Sequence, residues 1–261
     1  MPQDISGYDV GALLYCPANA HHTVAQAVTA ERLPRPFSLA LCLEDTVRAD
    51  ALAAAEQAVE QTLHDLTDAA RQETFYRPLT FVRVRSPEQL ARLGRAYGKY
   101  RPLLTGFILP KFFIETCGAY CAVIRDLQAD GLDYFYMPVF EAPSMPPLHT
   151  RHAALAEVKA QLDALRECIL NIRVGGNDLC HVFGLRRDPG HTIYDLRPVA
   201  DVLTDLLTTF APDYLVAGPV WEYYNGPGWA EGLAQECALD RLNGFVGKTV
   251  IHPKQIPIVN Q

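Results

Sequence analysis

Eight short apolar runs, separated by stretches with helical character, limit what this chain of 261 residues can fold into. The runs cover residues 12–17, 38–43, 79–86, 106–111, 134–139, 170–175, 214–219 and 248–253. The helical stretches cover residues 21–31, 49–70, 87–100, 114–129, 151–168, 198–210 and 229–242, and at most one helical turn follows the last run. Because the runs are apolar almost throughout, they are typical of parallel strands buried on both faces.

This alternation predicts an α/β fold, namely a (β/α)8 TIM barrel with a shortened C-terminal end. A chain of this length can build one large core, so residues 1–261 are predicted to form a single TIM-barrel domain. A doubly wound sheet is the alternative, but it requires a glycine-rich phosphate loop after the first strand. Residues 17–20, Pro-Ala-Asn-Ala, do not form such a loop.

Charge and composition exclude several classes of function. A net charge of −7 disfavours nucleic acid as a partner, because phosphate binding requires a basic face. Residues 1–4 lack the basic flank of a signal peptide, and no apolar run is long enough to span a bilayer. We therefore expect a cytoplasmic protein without a membrane partner. The seven cysteines lack zinc-site spacing and are expected to be reduced and mostly buried.

Polar residues follow the apolar runs, at the strand ends where a TIM barrel carries its chemistry. They are Glu44, Asp45, Arg83, Arg85, Lys111, Glu141, Asp178 and His252. Glu141 and Asp178 follow successive strands, which lie about 4.8 Å apart in a sheet, so both carboxylates can reach one octahedral cation. Mg²⁺ is the natural choice, with Mn²⁺ as the alternative. The competing interpretation is that both acids cap helices or face solvent.

Three basic residues at these ends allow more than one interpretation. Arg83 lies in an otherwise apolar strand, where a guanidinium needs a partner such as a carboxylate or phosphate. A buried salt bridge to Glu44 or Asp45 is the alternative, and it can coexist with a catalytic role. Arg85 is expected on the same side of the strand as Arg83. Lys111 is a candidate Schiff-base nucleophile, although a lysine in such a turn is more often solvated or ion-paired.

Seven motifs occur along the chain in a recognisable order. They are Leu-Tyr-Cys-Pro-Ala at 14–18, Leu-Glu-Asp-Thr-Val at 43–47, Arg-Val at 83–84, Leu-Pro-Lys at 109–111, Glu141, Gly-Gly-Asn-Asp-Leu at 175–179 and Gly-Phe-Val-Gly-Lys-Thr-Val-Ile-His-Pro-Lys-Gln-Ile at 244–256. This order resembles that of the citrate lyase β-subunit family, part of the HpcH/HpaI aldolase superfamily. The resemblance spans almost the whole chain, and its last motif is the most specific.

The resemblance implies a TIM barrel, trimeric or larger, that makes or cleaves carbon–carbon bonds next to a carbonyl with Mg²⁺. By matching position, Glu141 and Asp178 would be the metal ligands. Arg83 would hold a substrate carboxylate or the developing enolate, which a cation stabilises more in the transition state than in the ground state. Glu44 and Asp45 would orient the metal's waters or move protons. The expected partner is a small anionic substrate.

Three departures from the family pattern count against a coenzyme A thioester as the substrate. The first loop and helix, residues 18–30, offer only His21 and His22 where coenzyme-A-binding members carry basic residues. Arg85 stands where asparagine is common. The C-terminal segment that serves as a lid in many relatives does not follow the last motif.

Further residues complete the predicted substrate-binding set. Arg186 and Arg187 lie in the segment after Asp178, over the predicted mouth of the barrel. With Arg83 and Arg85 they can form a pocket for a phosphorylated or multiply carboxylated substrate, unless they are a solvated loop pair. Gly176 and Asn177 belong to the motif that carries Asp178. Residues 221–229 are predicted to be an aromatic rim or a subunit contact.

The sequence therefore predicts a Mg²⁺-dependent carbon–carbon lyase of retro-aldol or Claisen type, with Glu44, Asp45 and Arg83 as catalytic residues. Its substrate is expected to be a small oxo- or hydroxy-acid derivative. Two alternatives remain: a metal-free Schiff-base aldolase that uses Lys111, and a non-catalytic anion-binding or scaffold subunit.

Overall fold

A sheet of seven parallel strands forms the centre of the computed structural model, which describes residues 5–72 and 74–261 without the side chains of residues 20–22. The strands are β1 (Ala12–Pro17), β2 (Ser38–Cys42), β3 (Thr80–Arg83), β4 (Leu104–Leu109), β5 (Phe135–Phe140), β6 (Arg173–Val174) and β7 (Lys248–Val250). Their order in the sheet is β6-β5-β4-β3-β2-β1-β7. The predictions for residues 1–4 and for the side chains of His21 and His22 lie outside the described part of the chain.

Helices follow the strands on the outside of the sheet. They are α1 (His21–Thr29), α2 (Leu52–Gln72), α3 (Pro87–Ala96), α4 (Cys117–Ala129), α5 (Leu148–Asp163), α6 (Gly176–Val182), α7 (Arg197–Phe210), α8 (Trp229–Asn243) and α9 (Ile256–Val259). The predicted start of α3 is confirmed: Pro87 is its first residue, and the Ser86 hydroxyl accepts a hydrogen bond from the Gln89 N–H. The last helix is a single turn, as the sequence predicts.

Residues 214–218 span the gap between β6 and β7, the two edges of the sheet. They make one parallel bridge to each side, Ile172 to Val216 and Gly218 to Lys248. The predicted strand at 214–219 is therefore wrong as a regular strand. The segment changes partner between Val216 and Gly218, and Pro219 has no N–H to continue the ladder. The α/β TIM-barrel fold is confirmed, with seven regular strands in the described residues instead of eight.

The inside of the barrel changes from apolar to polar along the strands. Five strands contribute one apolar residue each to a buried layer: Leu13, Ala40, Phe81, Ile108 and Met137. Side chains two residues further along each strand point the same way, because the strand repeat is two. This next layer includes Tyr15, Cys42 and Arg83, which line the cavity described below.

Two local predictions are corrected. The sixth strand covers only Arg173–Val174, where 170–175 was predicted, because backbone pairing to β5 is interrupted after the isolated bridge from Tyr136 to Ile169. The predicted loop from Asp178 onward begins instead inside helix α6.

Of the seven cysteines, all free, six are buried and Cys16 is half-buried, as expected. Within residues 5–72 and 74–261, no helix is long and apolar enough to cross a membrane.

Candidate active site

A cavity of about 290 Å³ opens at the C-terminal ends of the strands. Most of the sequence-predicted acids line it, together with side chains from β1, β3, β6 and β7. The lining residues on which the chemistry depends are Asp45, Arg83, Glu141, Arg173, Asp178 and Thr249. The position agrees with the rule that a TIM barrel carries its site at this end.

Arg83, at the end of β3, is surrounded by carboxylates. Its Nη2 lies 2.7 Å from Oε2 of Glu44, 3.1 Å from Oδ2 of Asp45 and 2.8 Å from Oε1 of Glu141. The predicted salt bridges to Glu44 and Asp45 are therefore present. Burial disfavours the charged guanidinium, but Tyr15 and the nearby acids hold the pKa of Arg83 well above its usual value. One nitrogen with two hydrogens cannot satisfy three carboxylates, so negative charge is in excess here.

Glu141 follows β5 and is only 2% exposed. Burial raises its pKa from 4.5 to about 8; Arg83 opposes this shift, and Asp178 and Glu44 add to it. Its Oε1 accepts hydrogen bonds from Arg83 and from the backbone N–H of Lys111. Its Oε2 faces Gly175, where a Cβ would lie 2.2 Å away, so only glycine leaves room for the carboxylate.

Asp178 lies in the first turn of α6 and lines the same cavity as Glu141. Its half-buried carboxylate accepts no hydrogen bond from the described residues. Its charge nevertheless raises the pKa of Glu141, so the two carboxylates are close enough to interact. The sequence predicts this pairing, although it places Asp178 after a strand and not on a helix.

The donor set fits a divalent oxygen-seeking cation. Six charged side chains form what we call the mouth cluster: Glu44, Asp45, Arg83, Lys111, Glu141 and Asp178. Four carboxylates face two cations, a formal charge of −2 that one divalent ion offsets. Within the described residues no group of three or more His, Cys, Asp or Glu side chains is arranged to hold a metal ion. The two carboxylates Glu141 and Asp178 would suffice for Mg²⁺, which commonly keeps several waters.

Glu44 and Asp45 are adjacent acids with opposite pKa shifts. Burial raises the pKa of Asp45 to about 6, and its hydrogen bond to Glu44 adds to this. For Glu44, burial is outweighed by Arg83, Asp45 and Lys111, which hold its pKa below the ordinary value. Two neighbouring carboxyl groups whose pKa values differ in this way suit different roles, since one can exchange a proton while the other stays ionised.

Lys111 is engaged with Glu44. Its Nζ lies 2.7 Å from Oε1 of Glu44, and its side chain is 50% exposed. This hydrogen bond raises the pKa of Lys111 against the opposing effect of partial burial. A Schiff-base lysine requires a lowered pKa, and Lys111 lies outside the described lining of the cavity. Both observations disfavour the Schiff-base alternative.

Arg85 does not face the cavity. Its Nε donates a hydrogen bond of 2.6 Å to the carbonyl of Leu43, and its Nη2 donates to the carbonyls of Glu44 and Val47. The residue predicted to bind substrate instead holds the loop that carries Glu44 and Asp45. Because Nε and Nη2 of Arg85 both donate hydrogen bonds to this loop, we assign Arg85 a positioning role.

The Gly-Gly-Asn-Asp motif divides between packing and the cavity. Asn177 lines the cavity, as does Gly175. Gly176 lies outside the described lining and packs against Ile193 and Pro219, where a Cβ would lie 2.6 Å from Ile193 Cδ1. Its predicted contact with substrate is not supported by this position.

The predicted arginine pair Arg186 and Arg187 lies away from the mouth cluster. Arg187 is buried: its Nη1 lies 2.8 Å from Oε2 of Glu236, its Nη2 donates to the Val220 carbonyl, and it stacks over buried Trp221. Arg186 is exposed, pairs with Glu222 and lines a separate cavity of about 280 Å³. Neither guanidinium is therefore available in the main cavity.

Arg187 belongs to a second group of buried charges, which we call the α8 cluster: Arg187, Glu236, Asp240 and Lys248. Nζ of Lys248 lies 3.0 Å from Oε1 of Glu236 and 2.6 Å from Oδ2 of Asp240. Two carboxylates thus face two cations, and the charges balance.

Sequence reasoning missed Arg173 on β6, along with Tyr15 and Thr249 in the same cavity. Arg173 carries the same signal as Arg83, a charged residue inside an apolar run, and that argument applied to residues 170–175 would have found it. Tyr15 and Thr249 carry no comparable signal, because both residue types are common in strands.

The sequence model of one protein family, described as C-C bond lyase of the TIM-barrel fold, matches residues 4–261. The chain belongs to this family. A search of curated proteins found no match for this C-C bond lyase. The family assignment confirms both the predicted enzyme class and the resemblance to citrate lyase β subunits.

Solved structures with the same fold include three that cover nearly the whole lyase chain. The citrate lyase beta subunit of Mycobacterium tuberculosis, complexed with oxaloacetate and magnesium, is 22% identical with a TM-score of 0.64, covering 97% of each chain. RipC from Yersinia pestis is 17% identical with a TM-score of 0.64, covering 98% of this chain and 95% of its own. The Mycobacterium tuberculosis protein CitE with magnesium, acetoacetate and coenzyme A is 23% identical with a TM-score of 0.61, covering 95% and 79%. At these identities the likeness shows the fold.

Proposed function

We propose that this lyase cleaves or forms a carbon–carbon bond next to a carbonyl in a small oxo- or hydroxy-acid, in a Mg²⁺-dependent reaction of retro-aldol or Claisen type. The observation that carries the proposal is the excess of carboxylates around buried Arg83 in a cavity at the strand ends. Solved relatives that contain magnesium with oxaloacetate or with pyruvate support it.

Glu141 and Asp178 are the residues that would hold the ion. When bound, a divalent cation supplies the positive charge that stabilises an oxygen on which negative charge develops during cleavage. Arg83 adds a fixed positive charge beside the same oxygen or beside a substrate carboxylate. Its charge is effective there because Arg83 is only 6% exposed and is therefore little screened by solvent.

Asp45 is the proposed proton carrier. Its pKa of about 6 lies close to neutral pH, where a group is most effective in both accepting and donating protons. In the cleavage direction, its carboxylate would accept the proton of the substrate hydroxyl group. Glu44 stays ionised and fixes the positions of Arg83 and Lys111 through bonds of 2.7 Å to each.

A free acid is proposed as the substrate in place of a coenzyme A thioester. The cavity, about 290 Å³, has the size of a small acid and lies at the lower limit of typical ligand pockets. Arg85, which replaces the common asparagine, is occupied by the backbone of residues 43–47. Coenzyme A in one relative is the reason to include thioesters in the test.

The test is a panel of oxo- and hydroxy-acids, with and without a coenzyme A thioester, incubated with Mg²⁺, Mn²⁺ or EDTA. Mass spectrometry of the products should detect cleavage with Mg²⁺ and none with EDTA. Asp178→Asn should lower the rate by about 10² to 10³-fold. Glu167→Gln, an exposed acid outside the site, is the matched control and should retain the wild-type rate.

Two results would replace the proposal with an alternative. Cleavage that persists in EDTA, with a borohydride-trapped adduct that Lys111→Met abolishes, would establish the Schiff-base aldolase. Calorimetry that finds no Mg²⁺ binding, together with no cleavage and no effect of Asp178→Asn, would indicate a non-catalytic subunit.

A further inference from the structure

Arg173 is a buried cation without an acidic partner in the described part of the chain. It is only 2% exposed. The other buried cations, Arg83, Arg151, Arg187 and Lys248, each lie within 3.1 Å of at least one carboxylate oxygen. Arg173 makes no such ion pair with the described residues. It is therefore the exception among the buried charges of this barrel.

The contacts of Arg173 leave part of its guanidinium unused. Nη2 donates a hydrogen bond of 2.8 Å to Oγ1 of Thr249, and Nη1 lies at the longer distance of 3.4 Å from Oδ1 of Asn171. Nε has no hydrogen-bond partner among the described residues. Burial lowers the pKa of Arg173, the hydroxyl of Tyr15 opposes this shift, and the nearby charge of Arg83 adds to it. A buried guanidinium without a carboxylate partner is costly, and an anion bound in the cavity would compensate its charge.

Arg173 lies at the floor of the cavity, below the proposed metal ligands. In the sheet it pairs with Val139, and Glu141 lies two residues further along the chain toward the mouth. Tyr15 lies next to both arginines, since Arg83 and Arg173 lower the pKa of its hydroxyl against the larger effect of burial. The cavity thus offers one positive group at the mouth, within the carboxylates, and a second, unpaired one at its floor.

We propose that Arg173, together with Thr249, binds a second carboxylate of the substrate, so that the substrate is a dicarboxylic oxo- or hydroxy-acid. This inference rests on the proposed lyase function for the identity of the reacting part of the molecule. A carboxylate suits the site because it is planar and accepts two parallel hydrogen bonds from one guanidinium. The small cavity favours a short diacid over a larger anion.

The test compares malate with lactate, which carries the same hydroxy-acid group but lacks the second carboxylate. Calorimetry is carried out on the full chain in EDTA, so that binding is measured without turnover. Wild-type protein should bind malate at least about tenfold more tightly than lactate, as expected for a charge-assisted hydrogen bond. Arg173→Met should reduce this ratio to about one and leave lactate binding unchanged. Thr249→Val should reduce it by a smaller factor.

The melting temperature without ligand separates a binding role from a structural one. Arg173→Met should melt at or above the wild-type temperature, because it removes an uncompensated buried charge. If folded Arg173→Met keeps the wild-type ratio of malate to lactate affinity, or if wild-type protein shows no preference for malate, the inference is overturned. Thr249→Val and the wild-type preference provide this answer even if the arginine variant cannot be purified.

The outcomes also distinguish this inference from the proposed function. Mg²⁺-dependent cleavage of monocarboxylic acids, with no preference for diacids, would support the proposed lyase function and contradict the proposed role of Arg173. A malate preference that Arg173→Met abolishes, without cleavage of any acid in Mg²⁺, would keep the carboxylate site and remove the lyase.

Discussion

The mouth cluster and the α8 cluster are both groups of charges built around buried side chains, but only the α8 cluster is fully buried and balanced in charge. In the α8 cluster two carboxylates face two cations, and each carboxylate has a cation within 3.0 Å. In the mouth cluster four carboxylates face two cations, and three of the carboxylates share one nitrogen of Arg83. Buried charges normally occur paired, so the excess of negative charge around Arg83 and Glu141 supports our proposal that a cation from solution binds the mouth cluster. We therefore interpret the α8 cluster as structural and keep the mouth cluster as the proposed binding site.

The largest expected effect is the loss of activity on neutralising one acid of the mouth cluster. Glu141→Gln should lower kcat/KM for Mg²⁺-dependent cleavage by about 10³-fold, because it removes a proposed ligand and its charge. The variant should fold as well as the wild type, since a carboxyl with a raised pKa is already disfavoured in its ionised form. Steady-state kinetics and melting curves measure both properties. A well-folded variant with wild-type kinetics would remove Glu141 from the site.

The matched change in the α8 cluster should have the opposite profile. Glu236→Gln leaves Arg187 and Lys248 short of a carboxylate, and breaking such a buried pair costs about 3–5 kcal/mol. We expect a lower free energy of unfolding in urea and an unchanged affinity for Mg²⁺ in the protein that remains folded. A stable variant with impaired Mg²⁺ binding would show that the two clusters do not differ as described.

The pH dependence of stability should distinguish the protein with and without Mg²⁺. The pKa of Glu141 is raised from 4.5 to about 8, so its contribution to stability is present below pH 4.5 and is lost as pH rises through about 8. Without metal, the melting temperature should fall across this window. The stabilisation by Mg²⁺ should grow across the same window, because the ion binds the deprotonated carboxylate. In Glu141→Gln, both trends should be weaker; unchanged trends would assign them to another group.

The smallest effect is expected at the half-exposed end of the mouth cluster. Lys111→Met removes a cation that pairs with Glu44 at the surface, an interaction worth about 0.2–1 kcal/mol. The rate of cleavage should therefore fall by less than about tenfold. Kinetics of the purified variant measure this, and a complete loss of activity would instead favour the Schiff-base mechanism.

The fold and the centre of the site follow from the sequence because their signals are local. Apolar runs at regular intervals are typical of a barrel buried on both faces, and a charge at the end of a run marks its mouth. Glu141, Asp178 and Arg83 carry such signals, and all three line the cavity.

The bonding partners of Arg85 and Arg187 could not be predicted, because they come from distant parts of the chain. Arg85 bonds to Leu43, 42 residues away, and Arg187 to Glu236, 49 residues away. In sequence these residues look as suitable for binding an anion as Arg83 does. Helix α6 was missed for another reason: it begins with Gly176, and glycine disfavours a helix by about 1 kcal/mol unless packing compensates.

The gap between β6 and β7 is where the floor of the cavity and the closure of the barrel depend on the same residues. Nη2 of Arg173 on β6 and Oγ1 of Thr249 on β7 lie 2.8 Å apart, across a seam that the backbone joins only through single bridges. In our proposal, a ligand bound by both side chains would link β6 to β7 across this gap. Its binding free energy would then oppose local separation of β6 from β7, so binding of the ligand and closure of the barrel would favour each other.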